Sequence, residues 1–350
     1  MAIRSKTFRE TYQEDIGLFQ TIWVKCWWVV LIIILLIFPF WADPYLIYMF
    51  NFTMIFVIAG MGLNILTGAA GQISLCQGAF VGIGSYTIAI MASKLNMPFW
   101  VTLPMAGIIP AVMAILIGVI SLRVKGLYLA MATMAFGAFV QYLFFHWNSL
   151  TNGTMGIVVM PVTIGDFSFD TNESRYFPFL IIAALLLLGA KNILRTRIGR
   201  AFVAIRDRDI SAECMGVDLT KYKVMAFSLS AFYAGIAGWL YANLAMHVNP
   251  EYFTLVLSIE YIMVAIVGGL GTVLGTVLGA IFVVIIPEII KGSLTVMSEI
   301  FPSLHGIYNE EWNIAAFGLM IMLFLIFEPG GMCEIYMRIK RAFKSWPFSY

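Results

Sequence analysis

The feature that most limits what this chain can fold into is a succession of charge-poor apolar runs, each near the roughly 20 residues a helix needs to cross a hydrocarbon core. Gly, Pro and charged residues separate ten such runs, at 22–42, 45–67, 72–93, 98–120, 126–147, 177–194, 224–247, 255–269, 271–290 and 312–328. The run 255–269 is short for a full crossing. With 61% of residues hydrophobic, 11% charged and a mean hydropathy of +0.91, a water-soluble domain would carry an insoluble surface, so the natural solvent is lipid. The expected fold is an all-α polytopic membrane protein of about ten transmembrane helices, the third of them Gly-rich and broken. Residues 22–328 would form its membrane domain, 1–21 a cytoplasmic segment and 329–350 a basic cytoplasmic tail. The run reaching Phe40 is too long for a signal-peptide core and is expected to stay as an anchor.

Charge placement orients these spans. With the N-terminus inside, all but three of the 21 Lys and Arg residues fall on the cytoplasmic side, and Lys94, Arg175 and Lys291 fall outside. This asymmetry alternates correctly only for an even number of crossings, which puts both termini in the cytoplasm. Asp166, Asp170, Glu173, Glu299, Glu310 and Glu311 then occupy the two longest external loops, 148–176 and 291–311. Phe8, Tyr12, Ile16, Phe19 and Trp23 recur at helical spacing, which suits either a helix lying on the bilayer surface or a frayed polar tail. A net charge of +2 makes no case for a nucleic-acid partner. Cys26, Cys76, Cys214 and Cys333 read as free thiols, and His146, His247 and His305 lack metal-ligand spacing. No phosphate-loop pattern and no nucleophile with a nearby base is present, so neither a catalytic residue nor a cofactor bound by this chain is expected.

Between Gly60 and Gly84, seven glycines interrupt apolar sequence together with Asn64, Gln72, Ser74, Gln77 and Ser85. Unwound backbone at membrane depth is tolerated only when buried in protein or lining a wet cavity. Two readings follow: Gln72, Gln77, Gly78 and Gly82 line a path through the membrane, or the glycines permit close helix packing with the amides, Asn64 foremost, as glue. Glu260 is the one ionisable residue clearly inside a run, a candidate for the same path or a carboxyl paired with a neighbouring helix. Gly271, Gly275 and Gly279 make two small-x-x-x-small steps that should press against another helix, in this chain or in a second subunit. A five-plus-five division would make the third and eighth spans inverted counterparts.

Residues 195–223 form the longest cytoplasmic segment between spans, and they mix charge with apolar residues that a disordered linker would lack. Ala201, Phe202, Ile205, Ile210, Ala212 and Met215 can form an apolar face on short helices, with Gly216 ending one before Asp218 and Thr220 start the next. Such a loop either packs on the bilayer through its arginines or docks a cytoplasmic partner.

Here the sequence resembles a known family. Gly199-Arg200-Ala201, Ala204-Ile205-Arg206, Ala212-Glu213-x-x-Gly216 and Lys221-Tyr222-Lys223 are similar to the coupling loop of branched-chain amino-acid ABC permeases of the LivM type. The likeness extends through Gly62-Leu63-Asn64, Gly71-Gln72-Ile73-Ser74-Leu75, Ser258 to Glu260 and Gly268 to Gly279. Cys76-Gln77 stands where the family often has Gly-His. The resemblance implies a multi-pass permease of a bacterial inner membrane. Its implied partners are a homologous second permease, two cytoplasmic ABC ATPases that use ATP, and an external substrate-binding protein. The coupling residues it implies are Gly199, Arg200, Arg206, Ala212, Glu213 and Gly216, with the motif from Glu213 to Gly216 entering a groove on an ATPase. Members import Leu, Ile and Val, while others move urea, other amino acids or aromatic acids. The competing expectation is an ion-coupled secondary transporter of small organic solutes, which would have no use for a docking loop.

The orientation has a direct test. Cysteines introduced at Thr171 and Ser303 should react with an impermeant thiol reagent from outside the cell, and one at Ser211 should not. The reverse pattern would remove this topology.

Overall fold

The computed structural model describes residues 22–95, 97–120, 126–160, 163–164, 167–168, 170–300, 310–328 and 330–345. The expected N-terminal segment 1–21, Arg123 and Lys125, the tip of the second external loop and the last tail residues lie outside them. The chain resolves into two compact units, residues 1–48 and 49–350. Within the described part, the first holds α1 (Ile22–Trp41) and the opening of α2 (Pro44–Leu63), and the second holds the other elements.

After α2 and a π-helical turn at Asn64–Ala69 come α3 (Gln77–Ser93), α4 (Phe99–Ile120), α5 (Leu127–His146) and the single turn α6 (Asn148–Thr151). Then follow α7 (Asn172–Arg195), α8 (Arg197–Asp207), α9 (Asp209–Cys214), α10 (Leu219–Ala245), α11 (Leu255–Gly268), α12 (Val273–Ile300), α13 (Glu310–Phe327) and α14 (Gly331–Ser345). Each of the ten apolar runs contains a helix. Six described helical stretches are long and apolar enough to cross a membrane: 44–69, 99–120, 127–146, 172–195, 219–245 and 273–292. A bent pair formed by α13 and α14 would make a seventh, and α11 is a shorter apolar helix.

Three boundaries differ from the sequence reading for identifiable reasons. The third run starts as helix only at Gln77, because Gly71 adopts φ +69° and residues 71–76 leave the helical path. Helix α7 starts at Asn172, five residues before its apolar run, because Thr171 and Ser174 form a capping box: the Ser174 N–H donates to Thr171 Oγ1 (3.3 Å) and the Thr171 N–H to Ser174 Oγ (3.2 Å). Helix α12 continues to Ile300, past the Lys291 that marked the start of an external loop, since one charge does not interrupt a backbone hydrogen-bond ladder. The expected basic tail is largely the helix α14.

Helix α10 is the packing centre, buried along most of its length against α3 and α4. Its small residues make this possible, because in lipid the helices attract mainly through close van der Waals contact. A Cβ added at Gly84 of α3 would lie 2.6 Å from the Gly235 Cα, so two backbones meet there with nothing between them. One turn on, Ser85 Oγ donates to the Gly238 carbonyl at 2.8 Å, and Trp239 Nε1 donates to Thr102 Oγ1 of α4 at 3.2 Å.

Helices α11 and α12 form a second tight pair. A Cβ at Gly279 would sit 2.9 Å from the Gly268 Cα, and Gly275 faces the Gly268 carbonyl. The small-residue stripe Gly271–Gly279 thus packs within this chain. Elsewhere β1 (Ile157–Val158) pairs antiparallel with β2 (His247–Val248), which binds the loop after α5 to the elbow between α10 and α11. The buried Arg175 donates to the carbonyls of Asp170 (3.1 Å) and Leu244 (3.4 Å), and Lys94 Nζ donates to those of Ser149 and Leu150. Two of the three cations assigned to the outside are thus structural clamps.

The close approach at Gly84 can be probed directly. Gly84→Ala should cost roughly 1–3 kcal/mol by overpacking, visible as a lowered melting temperature in detergent. Gly292→Ala, where an added Cβ meets nothing within 4 Å, should leave that temperature unchanged or slightly raised.

Candidate functional site

The break between α2 and α3 is held by hydrogen bonds from its neighbours. Its start is the π turn, where the Ala70 N–H reaches back to Ile65 O and the Gln72 N–H to Leu66 O, both 3.1 Å. Beyond it the ladder stops, and each backbone group needs an outside partner. Hydroxyls supply several. Leu75 N–H donates to Thr133 Oγ1 of α5 (3.0 Å), Gly78 N–H donates to Ser258 Oγ of α11 (2.9 Å), and Thr67 Oγ1 donates to the Gln72 carbonyl (3.2 Å). Thr133 and Ser258, both buried, were not singled out as functional; a lone hydroxyl on an apolar helix carries no signal until its acceptor or donor is known.

The first turns of α3 and α11 meet at Gly78 and Ser258, beside α5. There a cleft of about 90 Å³ is lined by Leu75, Ala79, Met134, Gln141, Thr254 and Ser258. The five candidates for a path divide around it. Gln77 is fully buried: its Nε2 donates to Ala59 O (2.9 Å), and its Oε1 accepts from Ser230 Oγ (3.0 Å), which pins the start of α3 between α2 and α10. Gly78 and Gly82 sit at contacts, a Cβ at Gly82 lying 2.6 Å from the Phe144 ring. Gln72 and Glu260 are different. The buried Gln72 amide has no hydrogen-bond partner for either Oε1 or Nε2, and the half-buried Glu260 carboxylate accepts no hydrogen bond among the described residues.

Asn64 binds the two glycine breaks to each other. Its Nδ2 donates to Thr272 O (2.9 Å) and Thr276 Oγ1 (2.7 Å), and its Oδ1 accepts from the Gly271 N–H (2.7 Å). The start of the Gly271–Gly279 stripe is thereby tied to the π turn.

The loop 195–223 folds into α8 and α9, then a glycine turn at Gly216 (φ +84°) and the Asp218 cap of α10, whose Oδ1 accepts from the Lys221 N–H at 3.0 Å. Gly199, Ala201, Phe202, Ile205 and Ala212 are buried on one side. Arg200, Glu213 and Gly216 are exposed, and so are two large apolar side chains, Ile210 at 71% and Met215 at 85%. Arg206 turns the other way: its Nη1 donates to the carbonyl of Gly68 at 2.8 Å. A second cleft, about 520 Å³, opens between 70–73 and 205–211. Among the described residues no group of three His, Cys, Asp or Glu side chains could hold a metal, and Cys76, Cys214 and Cys333 are free.

Residues 45–325 match the family model described as the permease component of the branched-chain amino acid transport system. The chain belongs to this family. It is 32% identical over 337 residues to the high-affinity branched-chain amino acid transport system permease protein LivM of Salmonella typhimurium, covering 89% of this chain and 76% of that one. Its identity to LivM of Escherichia coli is 31% over the same shares. A protein of Methanocaldococcus jannaschii described as a probable branched-chain amino acid transport permease, LivH, is 23% identical over 63% of this chain and 71% of its own. No solved structure gives a significant match. As a member of this permease family the chain is a multi-pass membrane protein whose work is transport.

The hydroxyls around the break make a stability prediction. Thr133→Val and Ser258→Ala should each lower stability by about 1–3 kcal/mol by orphaning a buried N–H. Gln72→Leu, which removes an amide that already has no partner, should be neutral or stabilising. Thermal unfolding of the purified protein in detergent distinguishes the two classes.

Proposed function

We propose that this chain is one of two homologous permease subunits of an ABC importer for branched-chain or related amino acids. Two cytoplasmic ATPases would supply the force and an external binding protein the substrate, with ATP used only by those partners. The observation that carries the coupling role is the pair Ile210 and Met215. They lie largely exposed on a charged loop outside the apolar helices, where an isolated protein gains nothing from presenting them to water. A partner surface that covers them, with Glu213 beside the Gly216 turn, accounts for their exposure. The likeness to LivM and LivH proteins alike supports a partner permease of the same family.

The ten helices of the apolar runs would all cross the membrane, with both termini and the loop 195–223 in the cytoplasm. On this reading the substrate path runs past the junction of α3, α5 and α11, with the Glu260 carboxylate on α11 and the Gln72 amide, which lines the larger cleft facing 205–211, as its polar groups. Gln77, Gly78 and Gly82 act on it indirectly, by holding α3 in place. Such a path needs only weak contacts, since the force comes from ATPase closure and a deep site would slow release.

Uptake by proteoliposomes holding the complete complex tests this. With binding protein and amino acid outside, uptake should require ATP within and persist when ion gradients are collapsed; the opposite dependence would favour an ion-coupled carrier. Glu213→Arg and Gly216→Trp should leave insertion and pairing with the second permease intact while reducing transport-coupled ATP hydrolysis by roughly tenfold, the scale of losing a hot-spot contact. Full coupled hydrolysis in both variants would remove the loop from that role.

A further inference from the structure

The proposed coupling loop and the broken helix are joined by one side chain. The Arg206 guanidinium is forked: Nε and Nη2 both donate to Asp207 Oδ1 at 3.2 Å, and Nη1 donates to the Gly68 carbonyl at 2.8 Å. Gly68 lies in the π turn at the end of α2, where the helical ladder runs out and carbonyls lose their usual partners. The Arg206 stem lies against Gly71, whose φ of +69° opens the extended stretch, and a Cβ at Gly71 would lie 2.8 Å from Arg206 Cγ. From the same turn, Asn64 grips the second break through Gly271, Thr272 and Thr276. Loop, first break and second break therefore form one hydrogen-bonded chain, in which the charge-assisted Arg206–Gly68 bond ties the loop to the first break.

We infer that Arg206 is the positioning residue that carries displacement of the loop 195–223 into the two glycine breaks, with Asn64 spreading it from the first break to the second. This rests on the coupling role proposed for the loop. Physically, α8 is a rigid element and the stretch 71–76 is not, so a pull on the Gly68 carbonyl moves the mouth of the break before it moves any helix axis. The first turn of α3 follows, and with it the Gly78–Ser258 contact beside the smaller cleft. The fork explains why arginine suits the position. A lysine could reach the carbonyl or Asp207, but its single ammonium lacks the planar geometry that holds both at fixed orientation.

The test uses the complete complex in proteoliposomes and measures substrate moved per ATP hydrolysed. Arg206→Ala should lower that ratio roughly tenfold, the scale of one lost charge-assisted hydrogen bond, with the complex still assembled and still hydrolysing ATP. Arg206→Lys should restore it only in part, and Asn64→Leu should lower it without adding to the effect of Arg206→Ala. A purely structural role would reduce uptake and hydrolysis in proportion and leave the ratio unchanged. Independently of yield, spin labels on Ile73→Cys and Ser211→Cys should keep a constant separation between nucleotide-free and ATP-trapped states when Arg206 is present and change separation in Arg206→Ala. If Glu213→Arg disturbs coupling while Arg206→Ala keeps both the ratio and the constant separation, the loop couples by another route and this inference is overturned. If neither substitution disturbs coupling, the loop itself is not the coupling element, and both readings fall together.

Discussion

Everything distinctive in this structure follows from the need to satisfy backbone hydrogen bonds where water is absent. A continuous helix does so internally, and a chain made only of such helices would be a passive bundle. This permease departs from that solution at the stretch 71–76 and again near Gly271, and hydroxyls or an amide from neighbours hold the backbone around both places: Thr133 for the Leu75 N–H, Ser258 for that of Gly78, and Asn64 for that of Gly271. The break is therefore stable only inside this particular packing. A region whose hydrogen bonds depend on several other helices also changes when those helices shift.

Close packing supplies the frame against which such shifts register. Gly84 against Gly235, and Gly279 against Gly268, bring backbones together with no side chain to buffer them, so α3–α10 and α11–α12 behave as rigid pairs. Between these pairs lie the softer elements, the π turn and the two elbows before α3 and α11. Each elbow is latched by a loop, one by Arg206 and the other by β1 and the His247–Met155 hydrogen bond of 3.1 Å. Rigid pairs joined by latched elbows suit a permease better than a uniformly stiff bundle, because a transport cycle needs a few defined places to yield.

Family membership sets the activity without assigning the residues that perform it. Gln77 and Glu260 illustrate the difference. Both are polar residues within apolar sequence and both were candidates for a path, yet Gln77 spends its donor and acceptor on Ala59 and Ser230, whereas Glu260 finds no hydrogen-bond partner among the described residues. Spacing could not separate them, because a hydrogen-bond partner on another helix is a fact of packing. Arg175 and Lys94 teach the same lesson: they counted as external charges, and they serve to cap loop carbonyls.

Local chemistry was enough to read an all-α polytopic fold, a helix within each of the ten apolar runs and the short helices of the loop 195–223. Each depends on hydropathy, charge or backbone freedom, which act over a few neighbouring residues. The chain neighbour of the Gly271–Gly279 stripe, the sharing of Asn64 between two breaks and the reach of Arg206 to Gly68 were decided only by tertiary structure. The last two join residues more than 100 positions apart, and their energies exist only once α2, α8 and α12 have been brought within a few ångströms of one another. A sequence encodes such contacts jointly, through every packing choice at once, and so no single motif displays them.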